Sequence, residues 1–416
     1  MGLSQVTLAG IGVILGAGVY ALIGPAAGLA GNALWLAFLF AGFVAGLTAY
    51  SYARIGSLRP KDSPEFQYTA LAFGPRVGFL AGWLMLVADL LAVATVALAF
   101  GAYLGHLTGI PVVGGALALL IATGVVLLIG IGESVALAIV LTIAEAVGLL
   151  FVIAIGLPAW GRVNPLEIPH GAAGLTGAAA LIFFAYLGFD ELGNFAEEMR
   201  DPARNLPRAL FLSMVGATAI YVLVALSVTA AVDWRDLSAS PAPLALVARQ
   251  VVGTSADLGL TVVALAATGN TVLLLLVAAS RSVYGMAGAG MLPSRLAAVS
   301  RRGIPLAATG LVTIIAGALV LPGDLARAAT LTDAAVLSSF MLVNLSLPWL
   351  AWSGTTRTGR ARRMLDVAVP LLAFLMCGWL LLHTGGTSIA AAAGLAAVGY
   401  ALHARPGTGQ SRRGAG

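Results

Sequence analysis

The sequence is poor in charge. Asp, Glu, Lys and Arg make up 9% of its 416 residues. A soluble globular protein carries about 25% charged residues, so the composition excludes that class. Hydrophobic residues make up 60% of the chain, and apolar runs recur along it. Runs of about 20 residues cross about 30 Å of hydrocarbon as a helix. We therefore expect an all-α integral membrane protein surrounded by a lipid bilayer.

Cysteine and histidine are also scarce. The single cysteine, Cys377, excludes an intramolecular disulfide. The four histidines are scattered and lack the spacing of metal ligands, so no metal site is expected. The net charge of +5 is spread over loops between the apolar runs, which argues against a nucleic-acid partner. The sequence offers no nucleophile–base pair and no basic leader, so neither an enzyme, nor a cofactor, nor a signal peptide is expected.

The apolar runs predict twelve membrane-spanning helices, numbered here as spans 1 to 12. A short amphipathic element, Asp233–Thr254, is predicted to lie on the membrane surface between spans 7 and 8. The predicted spans are, in order, Thr7–Leu29, Ala33–Ser57, Val77–Leu107, Pro111–Ile129, Glu133–Leu157, Gly171–Met199, Leu206–Val232, Asp257–Met286, Pro305–Leu321, Leu325–Trp352, Leu365–His383 and Thr387–His403.

The loops are asymmetric in positive charge. If the N-terminus is cytoplasmic, all but four of the 22 Lys and Arg residues fall on the cytoplasmic side. The exceptions are Arg162, Arg235, Arg249 and Arg327. Cytoplasmic loops of membrane proteins carry an excess of Lys and Arg. We therefore expect a plasma (inner) membrane protein with both termini, including the tail 405–416, in the cytoplasm.

Span 6 carries acidic residues inside an apolar run. Gly188 precedes Asp190 and Glu191 at the middle of the predicted span. A carboxylate at that depth costs a few kcal/mol, which makes it a candidate functional residue. Glycine at the same place predicts a helix that stops and restarts, and such a break is tolerated only in a protein interior or beside a watery cavity.

Span 1 contains a second glycine-rich interruption, Gly12-x-x-x-Gly16-Ala17-Gly18-Val19-Tyr20. A half-helix beginning there would present free N–H groups and the positive end of its dipole to a carboxylate. The alternative interpretation is packing, because small residues four apart also describe ordinary contacts between membrane helices. Interrupted spans 1 and 6 occupy corresponding positions of a five-plus-five arrangement, which predicts an inverted-repeat transporter with its site at the midplane.

The stretch around Asp190 resembles the sixth helix of the amino acid–polyamine–organocation (APC) superfamily of transporters. That family motif reads roughly F-A-[YF]-x-G-F-[DE], followed by E-E-x-x-[ND]-P-x-[RK]-x-[IL]-P. The residues that match it are Phe184, Ala185, Tyr186, Gly188, Phe189, Asp190, Glu197, Glu198, Pro202, Arg204 and Pro207. The glycines of span 1 and the segment from Arg281 to Pro293 at the exit of span 8 also match family motifs.

The resemblance, to bacterial amino acid permeases and cationic amino acid transporters in particular, implies a LeuT-like fold. Spans 1 and 6 would be broken at the midplane. Residues 1–160 would form the first inverted repeat and residues 161–353 the second. Residues 354–404 would hold spans 11 and 12, before the tail 405–416.

The resemblance also implies a substrate site between the two breaks. The substrate carboxylate would meet Gly16, Ala17 and Gly18, and its ammonium the carbonyls near Ile14 and at Phe184–Leu187. Phe184 matches an aromatic residue that closes over the substrate in relatives. The alternative is that Phe184 and Tyr186 are packing aromatics. The implied substrate-binding residues are Ile14, Gly16, Ala17, Gly18, Phe184, Ala185, Tyr186, Leu187 and Gly188.

Asp190 and Glu145 are the predicted coupling residues. Burial favours the neutral form of a carboxyl group, so either residue can in principle carry a proton. Asp190 has a structural alternative, namely capping the N–H groups of the second half-helix. Many relatives carry a lysine in span 5 where this chain has Glu145. Glu145 would therefore titrate, ligate sodium with a hydroxyl such as Thr268, or form a hydrogen bond between helices.

These features together predict a secondary transporter of amino acids, working by proton-coupled symport and alternating access. Its expected partners are an amino acid substrate and protons. Amino acid exchange, amine or polyamine transport, and sodium-coupled uptake stay open as alternatives. A channel is disfavoured because nothing resembles a carbonyl filter and a channel has no need of paired breaks. Asp89 in span 3 is an intramembrane acid without an assigned role.

Overall fold

The computed structural model describes residues 2–58, 64–129, 135–192, 199–300, 303–354 and 359–404. All regular structure within these ranges is helical. The α-helices are α1 Leu3–Ile14, α2 Gly18–Ala30, α3 Leu34–Leu58, α4 Pro64–Phe73, α5 Pro75–Thr108, α6 Val112–Ile129, α7 Val135–Gly156, α8 Gly171–Ile182, α9 Pro202–Ala231, α10 Trp234–Ala239, α11 Pro243–Val251, α12 Thr254–Gly288, α13 Leu306–Val320, α14 Leu325–Trp352, α15 Arg360–His383 and α16 Gly386–Ala404.

Every predicted span corresponds to one of these helices, or to a broken pair. In the described part of the chain, nine helical segments are long and apolar enough to cross a membrane, and three shorter apolar helices accompany them. Helices dominate because hydrocarbon offers no hydrogen-bond partner, so each backbone group must be satisfied within its own segment. The prediction of an all-α membrane protein is confirmed.

The helices divide into an inner and an outer set. The most apolar stretch of α5 is 78% buried inside the protein, whereas that of α6 is only 22% buried. α14 packs along α5, and α12 contacts α5 from another side. Lipid-facing helices such as α6 therefore surround a protein core in which α2, α5, α8 and α14 meet.

The predicted surface element between spans 7 and 8 is two short helices. α11 is amphipathic, as expected, but Leu244, Val247 and Ala248 on its apolar face are fully buried against protein. α10 packs on α2, where a side chain on Gly24 would come within 2.7 Å of the Leu237 carbonyl oxygen. The apolar face therefore covers α2, α7 and α12, and the position of the element at the membrane surface stays a prediction.

A buried ion pair joins α15 to the inner helices. Two nitrogens of Arg54 on α3 each lie 2.7 Å from a carboxylate oxygen of Asp366 on α15. The Tyr50 hydroxyl donates a third hydrogen bond of 2.7 Å to the same carboxylate. Such a two-point charged contact is both strong and geometrically specific. It fixes the position of α15 against α3.

Candidate functional site

The first predicted span is not a continuous helix. α1 ends at Ile14 and α2 begins at Gly18, with Leu15, Gly16 and Ala17 outside both helices. No side chain caps the N-terminus of α2. The first amides of α2 have no partner within the helix and lie at the positive end of its dipole. This end is chemically suited to an anion such as a carboxylate.

The two predicted site glycines have different surroundings. A methyl group built on Gly18 would lie 2.6 Å from the Cα atom of Ala185. The same group on Gly16 would meet only the Val13 carbonyl oxygen at 3.5 Å and the Thr271 hydroxyl at 3.9 Å. The small size of Gly18 therefore serves helix packing. Gly16 keeps the free space that the binding interpretation requires.

The sixth predicted span also loses its α-helix partway. α8 ends at Ile182 and is followed by a 3-10 turn, Phe183–Tyr186. Leu187 is then extended and Gly188 has φ of 106°, which favours glycine. The α-helical part is therefore shorter than the predicted span Gly171–Met199. The predicted interruption of span 1 is confirmed, and in span 6 the predicted end of the first half-helix is confirmed. Glu197 and Glu198 lie outside the described residues.

The two breaks touch each other. Gly18 lies against Ala185, and a methyl group on Gly188 would come within 2.9 Å of the Val13 side chain. Glycine is needed at both places because a side chain would separate the segments. The interrupted parts of spans 1 and 6 therefore lie in direct contact.

Tyr221 of α9 links the two breaks and was missed by sequence reasoning. Its buried hydroxyl lies within hydrogen-bond distance of the Ile14 carbonyl oxygen and 2.9 Å from the Ala185 carbonyl oxygen. Both carbonyls belong to helical segments that end nearby, where backbone acceptors lack partners inside the helix. Its only signal in the sequence is a hydroxyl within an apolar run.

The aromatic residues of the 3-10 turn are buried. Tyr186 is fully buried, and its hydroxyl donates a 2.8 Å hydrogen bond to the Phe38 carbonyl oxygen. Its ring packs edge-on against Tyr221. Phe184 is 6% exposed, and its carbonyl oxygen accepts from the Leu187 N–H. Tyr186 thus has the packing role that was its alternative, while Phe184 lies at the turn that faces α14.

Asp190 stabilises the turn that it follows. Its Oδ1 accepts a 3.1 Å hydrogen bond from the backbone N–H of Gly188, and the residue is 4% exposed. A short acidic side chain commonly bonds a nearby backbone amide in this way. This bond serves the turn before Asp190, whereas the predicted alternative was a cap on the N–H groups that follow it, so neither predicted role of Asp190 is decided.

Glu145 of α7 lies beside the second half of span 1. Its backbone carbonyl accepts a 2.8 Å hydrogen bond from the Tyr20 hydroxyl of α2. Its side chain is buried, and Oε1 has no hydrogen-bond partner among the described residues. The Thr268 hydroxyl, a candidate fellow ligand for sodium, donates to Ala264 within its own helix α12. The surroundings of the Glu145 side chain therefore make its ionised form costly.

Several acidic residues lie near Asp190, and Asp89 is one of them. Glu65 of α4, outside the spanning helices, receives a 2.7 Å hydrogen bond from the Tyr52 hydroxyl. Burial raises the pKa of Glu65 to about 8, and the nearby charge of Asp190 acts in the same direction. Asp89 of α5 interacts electrostatically with Glu191, Asp190 and Glu65. In the sequence, Asp89 has no assigned role and Glu65 is not a candidate.

Asp333 of α14 is another buried acid that sequence reasoning overlooked. It is fully buried, and neither carboxylate oxygen has a hydrogen-bond partner among the described residues. The rule that singled out Asp190, an acid within an apolar run, applies equally to the stretch around Asp333.

An apolar groove lies apart from these residues. Exposed side chains of α3 and α9, among them Leu39, Phe43 and Phe211, line it, and Arg54 and Arg362 lie at its end. None of the predicted site residues lines it. Since its walls are exposed and apolar, acyl chains of the bilayer can fill it.

Comparison with known proteins gives a family for the chain. A family model described as amino acid permease matches residues 1–399. An uncharacterized transporter of Mycobacterium tuberculosis is 31% identical over 413 residues, which cover 97% of this chain and 90% of the relative.

Two further relatives are named for what they transport. A branched-chain amino acid permease of Bacillus subtilis is 28% identical, covering 94% of this chain and 89% of the relative. A vacuolar cationic amino acid transporter of Arabidopsis thaliana is 28% identical, covering 81% of this chain and 57% of the relative.

Proposed function

Because this chain belongs to the amino acid permease family, we propose that it carries an amino acid across the plasma membrane by proton-coupled symport with alternating access. The observation that supports this most is the contact between two broken spans, at Gly18 with Ala185 and at Gly188 with Val13. Two adjoining helix ends offer both backbone donors and backbone acceptors. An amino acid carries the complementary pair of groups, a carboxylate and an ammonium.

The substrate carboxylate binds at the N-terminus of α2. The amides there lack a side-chain cap, and Gly16 leaves space beside them. The substrate ammonium binds carbonyl oxygens near Ile14 and in the turn from Phe184 to Leu187. A carbonyl oxygen has two lone pairs, so the hydrogen bond from Tyr221 does not prevent a second donor from binding.

Alternating access requires that the segments around the site move as units. Residues 1–160 and 161–353 act as the two inverted repeats, with residues 354–404 as an addition. In such folds one bundle rocks against the other around a fixed site at the midplane. Spans 1 and 6 take part in both the site and the movement, since each is interrupted where they meet.

Glu145 carries the coupling proton, with Asp190 as a second coupling residue. An ionised carboxylate without a hydrogen-bond partner in a buried site is costly, so Glu145 binds a proton when it is closed off from water. It releases the proton when the same site opens to water on the other side of the membrane. The absence of a nearby basic residue in the described surroundings of Glu145 agrees with this assignment.

The proposal is tested with purified protein in liposomes. A thermal-shift screen of amino acids and amines, including L-leucine and L-lysine, first selects a substrate. Glu145→Gln should bind that substrate and catalyse exchange, but lose accumulation driven by a pH gradient. Glu167→Gln, at an exposed loop residue, serves as the matched control and should accumulate substrate like the wild type.

Other outcomes separate the alternative functions. Uptake that requires sodium and ignores the pH gradient would replace the proton with a sodium ion. Counterflow without net uptake would make the protein an exchanger. Stabilisation by amines alone would exclude amino acids as substrates. An amine has no carboxylate, so the α2 amides would then have no role in binding the substrate.

A further inference from the structure

Buried carboxyl groups without partners are rare in this structure. Among the described residues, the carboxyl oxygens that are buried and lack a hydrogen-bond partner belong to Glu145 and Asp333. Most buried polar atoms in proteins are hydrogen-bonded, so each exception needs a physical explanation. Glu145 has one under the proposed function. Asp333 has none so far.

Asp333 lies on the face of α14 that meets the break in span 6. Phe340, two turns further along α14, packs on the ring of Phe183 at the start of the 3-10 turn and on the ring of Phe189 after it. Residues seven apart share one face of a helix. The backbone N–H of Phe184 is the group that interacts with the Asp333 carboxyl group, but the contact falls outside the geometry of a normal hydrogen bond. Asp333 is therefore placed to respond to movement of the turn.

No opposite charge balances Asp333. Apart from the Phe184 amide, no described group interacts electrostatically with its carboxyl group. Hydroxyl groups meet where α14 packs on α5 and α16, with Thr95 lying 3.5 Å from Thr332 and Thr330 3.4 Å from Ser388. The main ionisable residues of the packed elements α3, α4, α5 and α15 are engaged elsewhere, namely Arg54 with Asp366, Tyr52 with Glu65, and Asp89 with the acidic cluster.

An ionised and unpaired carboxylate in such a place costs several kcal/mol or more. The group must therefore bind a positive charge. A metal cation or ammonium needs space and several oxygen ligands, whereas Asp333 is 0% exposed and the Thr332 hydroxyl already donates to Ala328. A proton needs neither. The burial thus selects the proton from among the possible cations.

We propose that Asp333 is a proton-binding residue of the transport cycle. It is protonated in the arrangement seen here, and it gives the proton to water when the turn Phe183–Tyr186 moves away from α14. Water on the opposite side returns a proton to the same carboxylate oxygen before the turn packs again. The proposal deepens the proton-coupled transport proposed above and rests on it for its place in the cycle.

Asp333 and Glu145 then have parallel positions. Glu145 is on the helix of span 5 and contacts the broken span 1, while Asp333 is on the helix of span 10 and contacts the broken span 6. Each break thus has its own buried acid on the last span of its five. With both acids titrating, two protons cross the membrane in each cycle.

A spectroscopic experiment tests the protonation without any substrate. Infrared spectra of the full-length protein in lipid at pH 7 are recorded for the wild type and Asp333→Asn. The variant should lack one C=O stretching band of a protonated carboxylic acid. Asp324→Asn, an exposed residue at the N-cap of the same helix, should retain that band. Loss of a carboxylate band from Asp333→Asn would show an ionised group and overturn the proposal.

A transport experiment tests the role in the cycle. Asn resembles the protonated acid, so Asp333→Asn should still transport but move one proton fewer. With the membrane potential clamped and a pH gradient of one unit, each proton supports about tenfold accumulation of a substrate. Asp333→Asn should therefore accumulate about tenfold less than the wild type, and Asp333→Glu should recover part of the loss. An unchanged accumulation ratio would overturn the proposal.

The two experiments separate the two proposals. If the wild type accumulates no amino acid under a pH gradient, the proposed function fails, and with it the role of Asp333 in the cycle. The infrared comparison still decides whether Asp333 holds a proton.

Discussion

At the scale of single residues, the environment of a glycine decides what it does. Gly16 and Gly18 belong to one sequence motif, yet a Cβ on Gly18 would collide with the backbone of Ala185, whereas one on Gly16 would make only ordinary contacts. A large residue at position 18 would therefore disturb the contact between spans 1 and 6 before it met any substrate. Only Gly16 allows binding to be tested apart from packing.

Gly16→Leu is expected to weaken substrate binding by about tenfold or more while the protein stays folded. Its side chain would keep the substrate carboxylate from the α2 amides, and a hydrogen bond to a charged group is worth about 1.5 kcal/mol or more. Calorimetric titration with the amino acid selected by thermal shift measures the change.

The controls for this variant lie at two other glycines. Gly259→Leu, where an added Cβ meets no atom within 4 Å, should bind normally. Gly18→Ala should instead lower the melting temperature. Normal affinity in Gly16→Leu would remove the carboxylate site from the first break.

Glu65 is the titratable residue outside the spans whose surroundings most affect its charge. Its pKa rises from an ordinary 4.5 to about 8, chiefly through burial. Between these two values the folded protein holds a proton that the unfolded chain has released. The free energy of unfolding therefore falls as the pH rises from about 4.5 to about 8, by at most about 1.4 kcal/mol per pH unit. Above about pH 8 it changes no further through this group.

Glu65→Gln should remove this dependence, since the amide resembles the protonated acid. The melting temperature of the variant relative to the wild type should increase steadily between pH 5 and pH 8. Fluorescence-monitored unfolding in detergent at each pH measures the difference. Asp236→Asn, at an exposed residue of α10, serves as the control and should follow the wild type. A constant difference across the range would mean that Glu65 is ionised throughout.

At the scale of helices, the interruption of spans 1 and 6 requires partners for the backbone groups that it frees. Tyr221 of α9 supplies one hydroxyl to carbonyls of both segments. An unsatisfied backbone carbonyl within a membrane protein is costly, so this single side chain makes both interruptions more favourable. It also couples their positions, because movement of either segment stretches the same contact.

Tyr221→Phe is expected to destabilise the protein by about 1 kcal/mol, the usual worth of a hydrogen bond. It should also weaken substrate binding, since the two segments that form the site are no longer held together by the hydroxyl. Tyr400→Phe on α16, where the tyrosine is 62% exposed, is the matched control. Thermal unfolding with and without substrate measures both effects. If Tyr221→Phe matches Tyr400→Phe in both, the bridge has no energetic role.

At the scale of the whole molecule, the orientation in the membrane stays a prediction from the sequence. Twelve predicted spans, an even number, would place both termini on the same side. The positive residues of the loops predict that this side is the cytoplasm. The single thiol, Cys377, is fully buried between α3 and α14, so the wild type provides a natural background for labelling experiments.

Thr408→Cys, in the tail beyond the described residues, should resist impermeant thiol reagents in intact cells and react after the cells are opened. Leu166→Cys, at a 60% exposed position in the loop after α7, should react in intact cells. The wild type should react in neither condition. Labelling of Thr408→Cys in intact cells at the rate of Leu166→Cys would reverse the proposed orientation.

The sequence by itself determined the class of the protein, its spans and the places where two spans break. These features depend on composition and on neighbouring residues, because the bilayer forces each apolar segment to satisfy its own backbone. The acid and glycine near position 190 were informative for the same reason. A charge or a break within a membrane span is expensive wherever the chain later packs.

Only the tertiary structure decided which of these residues face one another. Tyr221 is 207 residues away from Ile14 in the chain, and no local pattern reports their contact. Contacts between distant segments likewise decide the packing of α11 on protein and the difference between Gly16 and Gly18. They also bring Asp89 near the other acidic residues. The lack of a hydrogen-bond partner for the Asp333 carboxyl group is also a tertiary feature, because it depends on all the segments packed around that group.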